Sequence, residues 1–130
     1  MAWIRWLFLI AAFYDFAIGA AFVGFGPQIF DWAGVPPPNH WGYIEFAALM
    51  LVIFGVMFFE IATDPQRYRG MILYGMMLKL SYIGVVGYHW WATGVPWLFQ
   101  PFVMIDTAMF VLFGIAYVRL AAAAVAGKPT

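Results

Sequence analysis

Four long stretches of almost uninterrupted apolar residues constrain this chain more than any other feature. They cover about residues 3–25, 41–62, 68–91 and 100–120, and none holds more than two charged side chains. About 20 helical residues cross a bilayer core of about 30 Å, because each residue adds 1.5 Å. No stretch alternates in polarity as a barrel strand would. We therefore expect an all-α membrane protein, a four-transmembrane-helix bundle that forms a single integral membrane domain over residues 1–130.

The composition excludes several functions. Only 9% of the residues are charged, against about a quarter in a soluble domain, so the chain could not cover a water-facing surface. Six basic residues balance six acidic ones, which leaves no basic excess for nucleic acid. The absence of cysteine excludes disulfides, iron–sulfur clusters and thiolate catalysis. The lipid bilayer is the one certain partner on this reasoning.

Turn-forming residues predict where the helices end. Gly26-Pro27, the segment Gly34 to Asn39, Asp64-Pro65 and Gly94-Val95-Pro96 separate the apolar stretches. The first and third predicted loops hold no lysine or arginine, whereas the N-terminus, the second loop and the C-terminus hold Arg5, Arg67, Arg69, Arg119 and Lys128. Since basic residues favour the cytoplasmic side, we expect both termini to be cytoplasmic in a multi-pass protein of a bacterial inner membrane.

The outer loops carry the heavier aromatic girdle and a short repeated pattern. Tryptophan favours the interface between lipid and water, and five of the seven tryptophans lie at predicted outer helix ends. Residues 32–36 (WAGVP) are echoed by residues 91–96 (WATGVP), and an acidic residue follows each proline by nine or ten positions. Two helical hairpins related by an axis along the membrane normal would produce this echo, and so would chance.

Five ionisable residues fall within the predicted spans: Asp15, Glu45, Glu60, Lys79 and Asp106. Counting 1.5 Å per residue places Asp15 and Lys79 about 12 Å below the outer boundary. The same count places Asp106 at about 8 Å and Glu45 at about 6 Å. Four charges on four helices thus share one layer in the outer half, whereas Glu60 lies apart, near Arg67.

This layer has a structural and a functional interpretation. Charges inside a membrane are normally paired or functional, so we expect Lys79 to pair with Asp106 or Asp15. Tyr14 and Tyr82 are the nearest candidate hydrogen-bond donors, with Thr107 a third. The cluster is either an ion-pair network that sets helix packing, or a pocket open to the outer face that binds a ligand. Such a ligand would be apolar with one polar or cationic head.

Two histidines and two tryptophans are expected at the outer lip: His40, His89, Trp41 and Trp90. No spacing typical of a metal or haem site accompanies the histidines. The methionines of the spans are more typical of core packing than of copper ligation. The sequence predicts no metal and no cofactor, and it contains no known catalytic motif.

The loop motifs carry a resemblance to one bacterial group. The relevant residues are Gly34-Val35-Pro36-Pro37-Pro38-Asn39, Ala62-Thr63-Asp64-Pro65-Gln66-Arg67, Lys79, Gly94-Val95-Pro96-Trp97 and Asp106. Over about residues 11–119 the chain resembles the small, largely uncharacterised four-helix integral membrane proteins of bacteria, broadly of DoxX-like architecture. The resemblance implies a bundle in the inner membrane and no established activity. Some DoxX-like proteins are linked to quinone redox enzymes, but no cysteine or quinone motif supports that activity here.

Three functions remain in competition on sequence grounds. The first is a non-enzymatic protein, either an accessory subunit of a larger membrane complex or a binder of an apolar small molecule. The second is a membrane-embedded enzyme that performs acid–base chemistry on an isoprenoid, sterol or quinone-like substrate. The third is a proton or small-ion pathway, which an apolar gap between Asp15 and Glu60 disfavours.

Overall fold

The computed structural model describes residues 1–127, which form four long α-helices and no strand. The helices are α1 (Ala2–Ala33), α2 (Gly42–Thr63), α3 (Arg69–Ala92) and α4 (Gln100–Val125), and one 3₁₀ turn, Trp97–Phe99, precedes α4. All four are long and apolar enough to cross a membrane. The prediction of four membrane helices is confirmed at this level, and Lys128 lies outside the described residues.

Three of the helices begin close to their predicted positions, and two of these three also end close to them. Both α2 and α3 are displaced by a single residue from the predicted stretches 41–62 and 68–91. The exception among the three is the end of α4, which reaches Val125 instead of residue 120. The extension contains Ala121, Ala122, Ala123 and Ala124, and alanine is the residue most favourable to helix formation.

The predicted end of the first helix at Gly26-Pro27 is wrong. The backbone leaves the helical region at Phe25, with φ −134° and ψ 23°, but becomes helical again as far as Ala33. Pro27 lies in the first turn after this break, where its fixed φ suits a helix and its missing N–H is not needed. The second part ends at Gly34, whose φ of 70° suits glycine. The sequence signal for a terminus therefore marks a kink.

The helices form two hairpins, because α2 packs mainly on α1 and α3 mainly on α4. Glycine permits the close approach within the first hairpin. A Cβ atom on Gly19 would collide with the carbonyl oxygen of Ala48, and one on Gly55 would lie 2.9 Å from the backbone nitrogen of Phe16. Small residues at such crossings let helix backbones approach in membranes. The packing of α2 against α3 is less extensive than the packing within either hairpin.

Apolar clusters close both ends of the bundle. The end that carries Met1 and the turn between α2 and α3 is called the terminal end, and the end that carries residues 34–41 and 93–96 is called the loop end. Towards the terminal end, Phe8 stacks on Phe113 with ring centroids 4.7 Å apart, and Phe58 packs 5.2 Å from Phe113. Towards the loop end, Phe30 and Leu98 are buried in a second cluster. The buried charges lie between these two clusters.

Candidate functional site

Lys79 of α3 joins three helices through two buried ion pairs. Its Nζ lies 2.8 Å from Oδ1 of Asp15 on α1 and 3.1 Å from Oδ1 of Asp106 on α4. The side chains of Lys79 and Asp15 are 1% and 2% exposed, and that of Asp106 is 10% exposed. The ammonium group donates a hydrogen bond to each carboxylate. Such charge-assisted bonds are among the stronger ones, and two of them orient one lysine.

Aromatic rings enclose the ammonium group on its other sides. The Nζ atom of Lys79 lies 5.2 Å from the ring centroid of Tyr14 and 5.7 Å from that of Phe58. A cation at this distance from a ring is attracted to it, and the attraction is larger where water is absent. Gly75, one turn before Lys79, leaves the space that the Phe58 ring occupies. Gly75 and Lys79 of α3 therefore place the ammonium group beside two aromatic rings.

The hydrogen bonding of this cluster is incomplete. Oδ2 of Asp15 and the hydroxyl of Tyr14 are both buried, and neither has a hydrogen-bond partner among the residues that the structure describes. Most buried polar groups in proteins are hydrogen-bonded, so each exception needs a reason. One ammonium also faces two carboxylates, which gives the three groups a formal charge of −1 when all are ionised. The cluster therefore contains one buried acceptor and one buried hydroxyl without partners among the described residues.

A cavity of about 510 Å³ lies beside the ion pairs and is lined by all four helices. Its polar lining residues are Tyr14, Asp15, Ser81, Tyr82 and Asp106. The other lining residues are apolar: Ile18, Phe22, Phe30, Ile44, Phe46, Ala47, Ala48, Met50, Leu51, Leu78, Val85, Val86, Phe99 and Phe102. Asp15 and Asp106 are among its buried members, whereas Phe46 and Val85 are exposed. The cavity thus deepens from the gap between α2 and α3 towards the carboxylates.

Aromatic side chains separate this cavity from the loop end. The Phe30 ring packs edge-on against Trp41 and Phe99, with centroids 5.1 and 6.0 Å away. The hydroxyl of Tyr82 donates a 2.9 Å hydrogen bond to the carbonyl oxygen of Phe99. The indole N–H of Trp97 donates to the carbonyl oxygen of Ala33, at 2.9 Å, and so ties the 3₁₀ turn to the end of α1.

Other residues expected in or near the cluster lie elsewhere. Glu45 is exposed, forms no ion pair among residues 1–127 and does not line the cavity. It lies in the first turn of α2, nearer the loop end than the ion pairs, because Asp15 is level with the middle of α2, where Gly19 meets Val52 and Gly55 meets Phe16. The Thr107 hydroxyl donates within its own helix, to the carbonyl oxygen of Val103. Glu60, which was expected to stand apart, is also exposed.

The predicted outer-lip residues do not form one site. His40 and His89 are exposed, and Nδ1 of His40 accepts a 2.9 Å hydrogen bond from the backbone N–H of Gly42. That bond supports the start of α2. Trp41 packs against Phe30, and Trp90 is half-buried. Within the described chain, no three histidine, aspartate or glutamate side chains are grouped as a metal site would require.

Sequence reasoning missed the aromatic residues that close the cavity. Phe30 was assigned to a loop because the first helix was expected to end near Phe25, and Phe99 lay just before the expected start of the fourth helix. The available signal was the run of helix-compatible residues from Gln28 to Ala33, which follows the single proline.

Comparison of the chain with protein-family models, with curated proteins and with solved structures finds no match. The geometry of the site is therefore the basis of the functional argument.

Proposed function

We propose that this protein binds one molecule of an apolar, lipid-like compound in the cavity between α2 and α3, with the compound's polar head at Asp15. One observation carries the proposal. A buried carboxylate, one of whose oxygens has no partner in the described part of the chain, lines a cavity whose walls are otherwise mainly apolar. Ligand sites are typically apolar concavities of about 300–1,000 Å³ with a few convergent polar groups. The observed volume of about 510 Å³ falls within that range.

The unsatisfied groups favour a binding site over a purely structural network. In an ion-pair network that only stabilises helix packing, we expect every buried donor and acceptor to have a hydrogen-bond partner. A buried acceptor without a partner lowers the stability of the fold. Here Oδ2 of Asp15 has no hydrogen-bond partner among residues 1–127. The ion pairs with Lys79 hold that carboxylate in a fixed position, as a binding site requires.

We also propose that both termini face the cytoplasm in a bacterial inner membrane, in keeping with the DoxX-like resemblance. Four spans place both ends of the chain on one side of the membrane. Among the described residues, Arg5, Arg67, Arg69 and Arg119 all lie towards the terminal end, and the loops at the other end have no lysine or arginine. Basic residues of short loops favour the cytoplasm, which supports this orientation.

Purification in a mild detergent followed by mass spectrometry of the extracted small molecules tests the binding proposal. Wild-type protein is expected to retain a defined apolar compound in about equimolar amount. Ala47 lines the cavity, so Ala47→Trp fills part of it and should reduce retention severalfold. Ala108→Trp is the matched control, because Ala108 is also an exposed alanine of a membrane helix but lies outside the cavity. Equal retention by both variants would refute the proposal, as would a stoichiometric protein partner recovered without any small molecule.

A further inference from the structure

We infer that the head group held in this cavity is a cation that donates hydrogen bonds, such as a primary ammonium on an apolar chain. This inference rests on the proposed function and adds the chemical class of the ligand. It depends on the charges around Asp15 and on the nearby atoms that have no hydrogen-bond partner among the described residues. Together these features favour one kind of head group.

The charge balance favours a cation. Asp15 and Asp106 line the cavity, and Lys79 is the one basic side chain that pairs with them among the described residues. When both carboxylates are ionised, the single ammonium of Lys79 leaves one negative charge without compensation. An added cation beside Asp15 would complete the pairing, because opposite charges a few ångströms apart attract strongly where water is excluded.

The unused atoms favour a hydrogen-bond donor. Oδ1 of Asp15 already accepts a hydrogen bond from Lys79, whereas Oδ2 is buried and receives none from the described residues. Tyr14 lines the same cavity, and its hydroxyl also lacks a partner among the described residues. An ammonium group carries three N–H donors, so it can donate to Oδ2 and still has donors for a second acceptor.

The same atoms disfavour two other classes of head group. A carboxylate or phosphate would face two carboxylates of the same charge. A carbonyl head of the quinone kind offers only acceptors, so Oδ2 of Asp15 would stay unpaired. The Tyr82 hydroxyl already donates to Phe99, so of the two tyrosines only Tyr14 has a hydroxyl free to donate to a carbonyl, and that bond would still leave Oδ2 of Asp15 unpaired in the described part of the chain. A neutral alcohol can donate to Asp15 but leaves the charge uncompensated, so it should bind with intermediate strength.

The tail of the ligand would lie between α2 and α3. The lining residues on that side include Phe46 and Val85, which are exposed and apolar. The loop end is covered by the packing of Phe30 against Trp41 and Phe99. A cationic amphiphile would therefore enter sideways from the lipid, with its ammonium group leading towards Asp15.

Native mass spectrometry of the full chain in an uncharged detergent tests the head-group chemistry. Dodecylamine, dodecan-1-ol and dodecanoic acid share one tail length, so the three probes differ only in the head group, and each affinity is corrected for the probe's measured partitioning into the detergent. Wild-type protein should bind the amine about tenfold more tightly than the alcohol, equivalent to about 1.4 kcal/mol, and should bind the acid least. Equal binding of the three probes, or preference for the acid, would overturn the inference.

Two variants separate this inference from the proposed function. Asp15→Asn should abolish the preference for the amine, whereas Asp31→Asn, which changes an exposed acid on the same helix, should preserve it. If Asp15→Asn does not fold, the ranking of the three probes on wild-type protein decides the question by itself. If wild-type protein binds the three probes equally and Ala47→Trp weakens the binding of all of them, the cavity is supported and the cationic head group is refuted. If Ala47→Trp leaves the binding of every probe unchanged, both the proposed cavity site and the cationic head group are refuted.

Discussion

Lys79 Nζ lies 2.8 Å from Asp15 Oδ1, which links α3 to α1 across 64 residues of the chain. Asp106 completes the contact from α4 at 3.1 Å. Replacing a buried ion pair by apolar residues is often neutral, so the pair is weak evidence for stability as such. The ion pairs constrain the geometry of the bundle more than its stability. For these side chains to meet, α1, α3 and α4 must each have a fixed rotation about the helix axis.

Lys79→Met is predicted to destabilise the protein more than any single change at the bundle surface. It leaves two carboxylates buried without their cation, and breaking such a pair typically costs about 3–5 kcal/mol. Adding Asp15→Asn and Asp106→Asn to Lys79→Met should recover much of that loss, since neutral amides replace the unpaired charges. Thermal unfolding in detergent measures the effect.

Arg5→Met serves as the control for Lys79→Met, because Arg5 is an exposed basic residue of a membrane helix. It should leave the unfolding temperature nearly unchanged. An equal loss in the single and the triple variant would show that the charge contacts are not what Lys79→Met disrupts.

Gly19→Ala and Gly55→Ala are predicted to separate α1 from α2. At Gly19 a methyl group would meet the backbone of Ala48 and Val52, and at Gly55 that of Ala12 and Phe16. Backbone atoms cannot yield as a flexible side chain can, so each substitution should cost about 1–3 kcal/mol. Gly84→Ala is the matched control, because nothing lies within 4 Å of its Cβ position. Its stability should be unchanged or slightly higher. Similar losses at all three glycines would contradict the close packing of the first hairpin.

Trp97→Phe is predicted to loosen the loop end. The substitution keeps an aromatic ring but removes the N–H that donates to the carbonyl oxygen of Ala33 at the end of α1. A typical hydrogen bond contributes about 1 kcal/mol, and the thermal stability should fall accordingly. Trp91→Phe provides the comparison, because the Trp91 side chain is largely exposed. Indistinguishable effects of the two substitutions would show that the bond to Ala33 contributes nothing measurable.

Reporter fusions are predicted to place both termini in the cytoplasm. A phosphatase that folds only in the periplasm should be inactive when it is fused to the end of the chain. The same enzyme fused after Asn39, beyond the first span, should be active, because that loop follows an odd number of crossings. Activity at the chain end together with inactivity after Asn39 would invert the proposed orientation.

The shared depth of Asp15, Lys79 and Asp106 could be predicted from the sequence, but the exposure of Glu45, which lies nearer the loop end, could not. Counting residues placed Asp15, Lys79, Asp106 and Glu45 in one layer. Three of them meet in the structure, whereas Glu45 is exposed. A helix in lipid is apolar on all sides, so its sequence lacks the polar stripe that shows which face of a soluble helix points outward. Rotation about the helix axis is therefore set by packing alone.

The number of helices, and the bounds of α2 and α3 to within one residue, were determined by the sequence by itself. An apolar stretch of sufficient length must be helical in lipid, because no water is present to satisfy its backbone groups. Only the tertiary structure decided that α1 continues beyond the kink at Phe25, since the contacts of Phe30 with Trp41 and Phe99 are made by distant parts of the chain. Only the tertiary structure likewise placed Asp15 beside a cavity, with its Oδ2 unpaired among residues 1–127, because hairpins that pack tightly within themselves leave space between them.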